Sequence, residues 1–304
     1  MQPKQILVGV AAVALQALVM APNGANAFSI VSGPSDLKFT GVTAEDAGVT
    51  TGNSGGKETT FGAGYLNEII QHGSNNVLWA QGTGPSSPNE TISFFLYGIA
   101  DRSFGGTGPF SLDNGGCTVG AGCDGKIHID FYLDHLSAGG GFPGTNPSFN
   151  TAGGVKASDR TSFSTLSGIT DGQLLMSWVL VPGADKNDPG ATLFQKVDAL
   201  SLPTNGAGTF LADCVSGPGC TFFDKSKITD SSQQADPTAV ANLFGQFTLS
   251  TPGPLDQGFV KNGWEGLIAD PVFTGSIPEL STWAMMLIGF GAVGVRLRRQ
   301  RVAA

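Results

Sequence analysis

The chain has 304 residues, of which 45 are glycine, 17 are proline and only 13% are charged, whereas an ordinary globular protein has about 25% charged residues. An apolar share of 40%, with 20 phenylalanines spread along the chain, argues against disorder and is typical of a protein built from strands and turns. The net charge of −8 disfavours nucleic acid as a partner, because phosphate binding needs a positive surface.

The first 27 residues have the features of a signal peptide. Lys4 gives a positive start, residues 6–20 form an apolar run, and Ala25 and Ala27 are the small residues that signal peptidase recognises. The run is shorter than the roughly 20 residues that a membrane span needs. We therefore expect a signal helix that enters the general secretory machinery and is cleaved before Phe28. An uncleaved anchor helix is the alternative.

Strand patterns dominate residues 28–267, which we interpret as one secreted domain. The first two predicted strands are separated by a Gly-Ser-Asn turn and form a predicted hairpin. Helical periodicity is confined to residues 236–244, where Asp236 would cap a short helix. Many short strands with one helix favour an all-β fold, an antiparallel β-sandwich or jelly roll. The predicted strands lie at residues 61–70, 76–81, 91–99, 126–135, 174–181, 208–213 and 243–250.

Four cysteines form two pairs with the same spacing, Cys117 with Cys123 and Cys214 with Cys220. The five mostly small residues within each pair would let the two Cβ atoms approach to about 4 Å, so we favour two local disulfides among the possible connectivities. Disulfides are expected in an exported protein because the periplasm is oxidising. A zinc site with four cysteine ligands is the alternative, although its ligand pairs are usually separated by about two to four residues.

The predicted strand at residues 126–135 carries the histidines and aspartates that could bind a metal. His128, Asp130 and Asp134 would share one face of this strand, whereas His135 would point to the other face. A shared metal site is therefore only partly supported, and the polar face of an antiparallel strand has the same appearance. We predict no metal and no cofactor.

Other motifs that carry chemistry are weak in this sequence. The acidic segment at residues 185–190 resembles the start of a calcium loop, but Lys196 stands where the chelating glutamate should be, so we interpret the segment as a turn. The sequence contains no zinc-protease helix motif and no phosphate loop. We therefore predict no catalytic residues.

The C-terminal end contains a second apolar segment. Residues 268–276 are interpreted as a spacer that leads into a tail, residues 277–304. Residues 281–295 of this tail are uncharged and mostly apolar, and we expect them to form a transmembrane helix with Trp283 at the interface. Fifteen helical residues span about 22 Å, less than a hydrocarbon core of about 30 Å, but flanking arginines can snorkel. A buried core helix is the alternative. The basic residues on the cytoplasmic side would be Arg296, Arg298, Arg299 and Arg301.

The tail resembles a PEP-CTERM sorting signal, in which a Pro-Glu-Pro box precedes a short transmembrane stretch and a basic end. Pro278 and Glu279 match the box, and Leu280 stands where the second proline is expected. The resemblance covers about the last 28 residues. It implies processing by an exosortase, a membrane transpeptidase-like cysteine enzyme found with exopolysaccharide gene clusters. The same kind of tail is also called an ice-binding protein C-terminal domain, although the tail itself does not bind ice.

The two end segments predict that the protein is exported, but they say little about its activity. We expect an inner-membrane-anchored precursor with its body in the periplasm, and then a cell-surface or extracellular protein. A non-catalytic matrix role, in contact with exopolysaccharide in a biofilm, is the first hypothesis. A secreted carbohydrate- or ice-binding module is the second, and it would need a regular array of threonines or exposed aromatics. A secreted hydrolase is the third.

Overall fold

The computed structural model describes residues 33–45, 57–72, 76–81, 90–105, 110–119, 123–135, 147–198, 205–223, 226–227, 235–253 and 256–277. These residues form mainly strands, with one short helix, α1 (Gln257–Lys261), and two 3-10 turns, Ala157–Asp159 and Pro218–Phe222. Within them, no helix is both long and apolar enough to cross a membrane. The strands are β1 (Gly33–Glu45), β2 (Thr60–Gln71), β3 (Val77–Ala80), β4 (Glu90–Gly105), β5 (Phe110–Gly116), β6 (His128–His135), β7 (Arg160–Ser162), β8 (Thr165–Leu166), β9 (Gln173–Val181), β10 (Leu193–Asp198), β11 (Asn205–Ser216), β12 (Ser226–Lys227), β13 (Val240–Ala241), β14 (Leu243–Ser250) and β15 (Gly266–Ile277).

Eight of these strands pair in a closed antiparallel ring. Its order is β1, β2, β4, β6, β9, β11, β14 and β15, and β15 pairs again with β1. β5 and β10 form a second connection between β4 and β11, and β3 extends the sheet from β2. The predicted all-β, antiparallel class is therefore confirmed.

All seven predicted strands have a counterpart in the structure. The predicted hairpin corresponds to β2 and β3, in which Ile70 is paired with Val77. The other predicted strands coincide with or overlap β4, β6, β9, β11 and β14. β1, β5 and β10 were not predicted, because their glycine and polar residues interrupt the apolar patterns.

The predicted helix at residues 236–244 is wrong. Asp236 instead closes a turn, in which its Oδ1 accepts hydrogen bonds from the backbone N and the Oγ1 of Thr238 at 2.8 and 2.7 Å. The same bonds lower the pKa of Asp236. The following residues belong to β13 and β14, because β14 has strand partners on both sides, in β11 and β15. Tertiary pairing thus overrides a weak helical pattern.

The predicted spacer at residues 268–276 is also wrong, because these residues lie in β15. Pro271 argues against a strand in this segment, because proline has no backbone N–H to donate to a neighbouring strand. In the structure the registers with both β1 and β14 shift at this point, so Asp270 and Pro271 stand in a β-bulge without register partners. The folded body therefore extends to Ile277.

The interior of the ring is an apolar core. On β6, Ile129, Phe131 and Leu133 point inward, as the alternation predicts, and each is at most 9% exposed. Phe39 of β1 contacts Phe131 across the interior, with ring centroids 5.5 Å apart. Each such large side chain contributes about 1.5–3 kcal/mol when it is fully buried.

A second apolar layer covers part of the outer face. Residues 147–170, which we call the covering segment, pack against the outside of β2, β4 and β6. Trp264 fixes this layer, because it is fully buried and its Nε1 donates to the carbonyl of Val155 at 2.9 Å. Asn262 donates to the carbonyl of Phe149, also at 2.9 Å. These bonds satisfy buried backbone oxygens that have no strand neighbour.

Phenylalanine rings lie across glycines on neighbouring strands. Phe94 of β4 is paired with Gly64 of β2, and across β11 and β14 Phe210 is paired with Gly245. A methyl group at Gly64 would overlap both the ring of Phe94 and the carbonyl oxygen of Thr40, and one at Gly245 would overlap the ring of Phe210. The glycines thus provide the space that the rings occupy, which fixes the register of these strands.

Candidate functional site

The outer faces of β4 and β6 carry a cluster of polar and aromatic side chains, Tyr97, His128, Asp130 and Tyr132, which we call the tyrosine–aspartate cluster. Strand alternation places the three β6 residues on the face opposite to the interior core. The Oη of Tyr97 donates to Oδ2 of Asp130 at 2.8 Å. The Tyr97 ring stacks on His128, with centroids 4.8 Å apart and planes within 9°.

The electrostatics of this cluster keep both phenols protonated. Burial raises the pKa of Tyr97, and the negative charge of Asp130 and its hydrogen bond raise it further. Burial also raises the pKa of Tyr132, to about 12, and the negative charge of Asp130 contributes to this shift. Both tyrosines are therefore hydrogen-bond donors at neutral pH.

Asp130 is an unusual residue for this position, because it is only 6% exposed. Its Oδ1 is buried and has no hydrogen-bond partner among the described residues. A buried acceptor without a partner costs about 1–3 kcal/mol. Asp130 therefore connects β4 to β6 through the bond from Tyr97 to its Oδ2, while its unpaired Oδ1 makes this connection energetically costly. Asp130 was a candidate from the sequence, whereas Tyr97 and Tyr132 were not, although both stand on predicted strands.

The cluster does not have the form of a metal site. His128 and Asp130 share a face as predicted, but the Nε2 of His128 is bonded to Oδ2 of Asp124 at 2.9 Å, while Asp130 is bonded to Tyr97. The side chains of Asp134 and His135 lie outside the described residues. Within the described part of the chain, no group of three or more His, Cys, Asp or Glu residues could hold a metal ion.

A largely buried ion pair next to the cluster was not predicted from the sequence. The Nη1 of Arg160 lies 2.7 Å from Oε2 of Glu58, and their side chains are 16% and 15% exposed. The guanidinium group lies 4.5 Å from the centre of the Phe61 ring and donates to the carbonyl of Phe163 at 2.6 Å. Glu58 in turn accepts a bond from the backbone N of Gly98. This arrangement fastens the covering segment to the ring, and an arginine in a glycine-rich loop gave no sequence signal for it.

The predicted local cysteine pairs are present. Cys117 and Cys123 form one disulfide and Cys214 and Cys220 form the other, with Cα–Cα distances of 5.7 and 5.4 Å. No cysteine of the chain is free. These bonds close short loops at the end of β5 and at the end of β11. The zinc alternative is therefore excluded.

The acidic segment at residues 185–190 forms turns. Oδ1 of Asp185 accepts the backbone N–H of Asn187 at 2.9 Å, and Oδ1 of Asp188 accepts the backbone N–H of Gly190 at 2.9 Å. Both are local bonds of the kind by which aspartate stabilises a turn. The interpretation of the segment as a turn is therefore confirmed.

The interior of the ring encloses a cavity of about 40 Å³. One water needs about 10–15 Å³ on this measure, so the space is no larger than the volume of about three waters and is far smaller than a ligand pocket of about 300 Å³. We assign it to imperfect packing of the rings that lie on glycines. Its lining includes Phe94, Phe210 and Phe247, together with the polar residues Thr43, Thr60 and Gln195.

The predicted processing sites lie outside the described residues. This holds for the cleavage site at Ala25, Ala27 and Phe28 and for the sorting box at Pro278 and Glu279. It also holds for the predicted transmembrane helix at residues 281–295 with Trp283, and for the basic end at Arg296, Arg298, Arg299 and Arg301.

The arrangement of the tyrosine–aspartate cluster favours a structural role over a catalytic role. The phenol of Tyr97 and the carboxylate of Asp130 are bonded to each other and each residue is 6% exposed, so a substrate could not reach them without displacement of the covering segment. No family model, no curated protein and no solved structure matches this chain.

Proposed function

We propose that this chain is an exported protein that functions outside the cytoplasm as a non-catalytic cell-surface or matrix component. The observation that carries the proposal is the pairing of all four cysteines in two disulfides. Disulfides of this kind persist in oxidising compartments and are rare in the cytosol. The signal-peptide features before Phe28 support the same route.

The tail supplies the second part of the proposal. The box at Pro278 and Glu279, the apolar run at residues 281–295 and the arginines that follow support an inner-membrane-anchored precursor. An exosortase-type enzyme would then process this precursor, and the body would pass to the cell surface or the exterior. Contact with exopolysaccharide in a biofilm matrix is the role that we infer for it.

We further propose that the closed ring is flattened into the two layers of a β-sandwich. The contact between Phe39 and Phe131 supports this, because β1 and β6 are not neighbours in the ring and yet their side chains meet across the interior. The small volume of the interior cavity also supports a flattened ring, since such a ring can be filled by its own side chains.

The alternative binding function has weaker support. A carbohydrate-binding surface would need exposed aromatic rings, but the large apolar side chains that are exposed in the described residues are five valines and one leucine. A secreted hydrolase also has weaker support, because the tyrosine–aspartate cluster is covered. We therefore prefer the non-catalytic proposal.

The test is the intact mass of the protein made in its own host, combined with mapping of its terminal peptides and its thiol state. We expect a chain that starts at Phe28, ends near Pro278 or Glu279 and contains no free thiol. A chain that starts at Phe28 but retains Arg301 would leave export standing and overturn processing by an exosortase. A full-length chain with free thiols would overturn the proposal of export.

A further inference from the structure

One of the two disulfides lies on the inner face of the ring. Cys214 of β11 is paired with Trp178 of β9, which in turn is paired with Ile129 of β6. Directly paired residues of neighbouring strands place their side chains on the same face of the sheet. Ile129 and Trp178 belong to the interior core, and Cys214 packs against this core. The side chain of Cys214 therefore points to the interior, where it is bonded to Cys220.

The segment that follows β11 covers the interior core where β9 begins and β11 ends. We call this segment, residues 217–223, the end plug. A Cβ atom at Gly217 would overlap the backbone carbonyl of Leu175. One at Gly219 would overlap the side chain of Met176, which belongs to the interior core and is 3% exposed. Glycine at both positions thus lets the backbone of the end plug lie directly on β9.

Phe223 supplies an apolar contact between the end plug and the ring. Its side chain meets Trp178 edge to face, with ring centroids 4.9 Å apart, and its carbonyl accepts a hydrogen bond from Asn242 at 2.9 Å. Within the described part of the chain, the end plug is paired with no strand. Its backbone bonds are local, since Cys220 N donates to the carbonyl of Gly217 and Phe223 N donates to the carbonyl of Cys220, both at 3.2 Å.

The disulfide is the covalent tie that keeps the end plug against the inner face of the ring. The 3-10 turn Pro218–Phe222 has little stability of its own, because the hydrogen bonds of such short turns have poor geometry. The glycines at positions 217 and 219 add conformational freedom, which the disulfide removes by closing the loop. Without this bond the end plug can leave the ring while the eight strands keep their pairing, since none of them depends on it for a partner.

We propose that the disulfide between Cys214 and Cys220 is a latch that closes this end of the ring only after export. The two thiols give two electrons and two protons to a disulfide oxidant, which leaves as a dithiol, and the new bond fixes the end plug over Met176 and Trp178. Such oxidants act in oxidising compartments, whereas thiols in the cytosol stay reduced. This inference rests on the proposed function, because it takes export as the step that brings the thiols to the oxidant.

The experiment is hydrogen–deuterium exchange of the full chain with Cys117 and Cys123 both replaced by serine, so that the latch is the one remaining disulfide. Exchange is measured before reduction, after addition of dithiothreitol, and after reoxidation with oxidised glutathione. We expect the amides of the end plug to exchange at least about tenfold faster after reduction and to regain their original rate after reoxidation. The amides of β6 are the internal control, and their rates should change less than about twofold.

The matched variant replaces Cys214 and Cys220 by serine and keeps the other disulfide, so its end plug should exchange rapidly with or without dithiothreitol. The parent chain is measured in the same way, so that the result does not depend on the folding of either variant. If the end plug exchanges equally in the oxidised and reduced chains, or if β6 accelerates as much as the end plug, the latch is overturned and export is retained. Free thiols at Cys214 and Cys220 in the protein from its own host would overturn both the latch and the disulfide support for export.

Discussion

Replacement of Gly64 by alanine tests the contact between glycines and phenylalanine rings in the interior. Gly64 lies in β2, between Gly41 of β1 and Phe94 of β4. A Cβ atom at this position would overlap the ring of Phe94 and the backbone carbonyl of Thr40. The ring is 3% exposed, and a strand carbonyl cannot rotate away without loss of its ladder bond, so the overlap forces the strands apart.

Two opposing effects set the magnitude of this change. Alanine restricts the unfolded chain, which would stabilise the protein by about 0.4–1 kcal/mol at a compatible site. Overpacking in a core costs about 1–3 kcal/mol, so we expect Gly64→Ala to lower the free energy of unfolding by about 1–2 kcal/mol. Gly153→Ala is the control, because a Cβ atom there has nothing within 4 Å.

The assay is urea unfolding with both disulfides intact, followed by tryptophan fluorescence. Trp178 reports on the interior core and Trp264 on the outer layer, since both are at most 1% exposed. Gly245→Ala is an intermediate case, because its Cβ atom would overlap the ring of Phe210 alone. If Gly64→Ala were as stable as Gly153→Ala, the interior would be loosely packed and the reasoning would fail.

Three further predictions use the same unfolding assay. Arg160→Ala should lower the free energy of unfolding by about 3 kcal/mol, because it leaves the largely buried Glu58 without its charge partner. The stability that Tyr132 contributes should be complete below its unfolded pKa of 10.0 and should be lost as the pH rises towards its folded pKa of about 12, so Tyr132→Phe should flatten this decline. Replacement of both Cys117 and Cys123 by serine should cost about 2 kcal/mol, the chain entropy of a short closed loop.

Each of these predictions has a control or a contrary outcome. The half-buried pair of Lys38 and Glu68, which is more exposed than Arg160 and Glu58, is the control for Arg160, and Lys38→Ala should cost less than about 1 kcal/mol. An unchanged stability profile in Tyr132→Phe above pH 10.0 would mean that this phenol ionises freely in the folded protein. A double serine variant as stable as the parent would show that the Cys117 loop is already ordered without its disulfide.

The alternating segment of β6 shows what could be predicted from the sequence. Ile129, Phe131 and Leu133 alternate with polar residues, and a strand must place such a set on one face, so their burial follows without knowledge of the neighbours. The cysteine spacing is a similar case, because the short loops bring their ends together whatever the rest of the chain does. The tyrosine–aspartate cluster was only half predicted, since the bond from Tyr97 to Asp130 depends on the register of β4 with β6.

The wrong predictions have a common physical cause. The residues of β15 include Pro271 and Gly275, and those at positions 236–244 have a weak helical period, so local preferences do not favour a strand in either segment. β15 and the part of the other segment in β14 became strands because neighbouring strands satisfied their backbone groups, and the β-bulge accommodated the proline. Backbone pairing over a long sequence separation leaves no local pattern to detect.

The sequence by itself determined the all-β class, the two local disulfides and the inward face of β6, because each depends on residues close together in the chain. Only the tertiary structure decided the closed ring, the pairing of Gly33 with Ile277 and the ion pair of Arg160 with Glu58. These features join residues about 100 to 240 positions apart, and their energy comes from pairing and packing across the ring rather than from local preference.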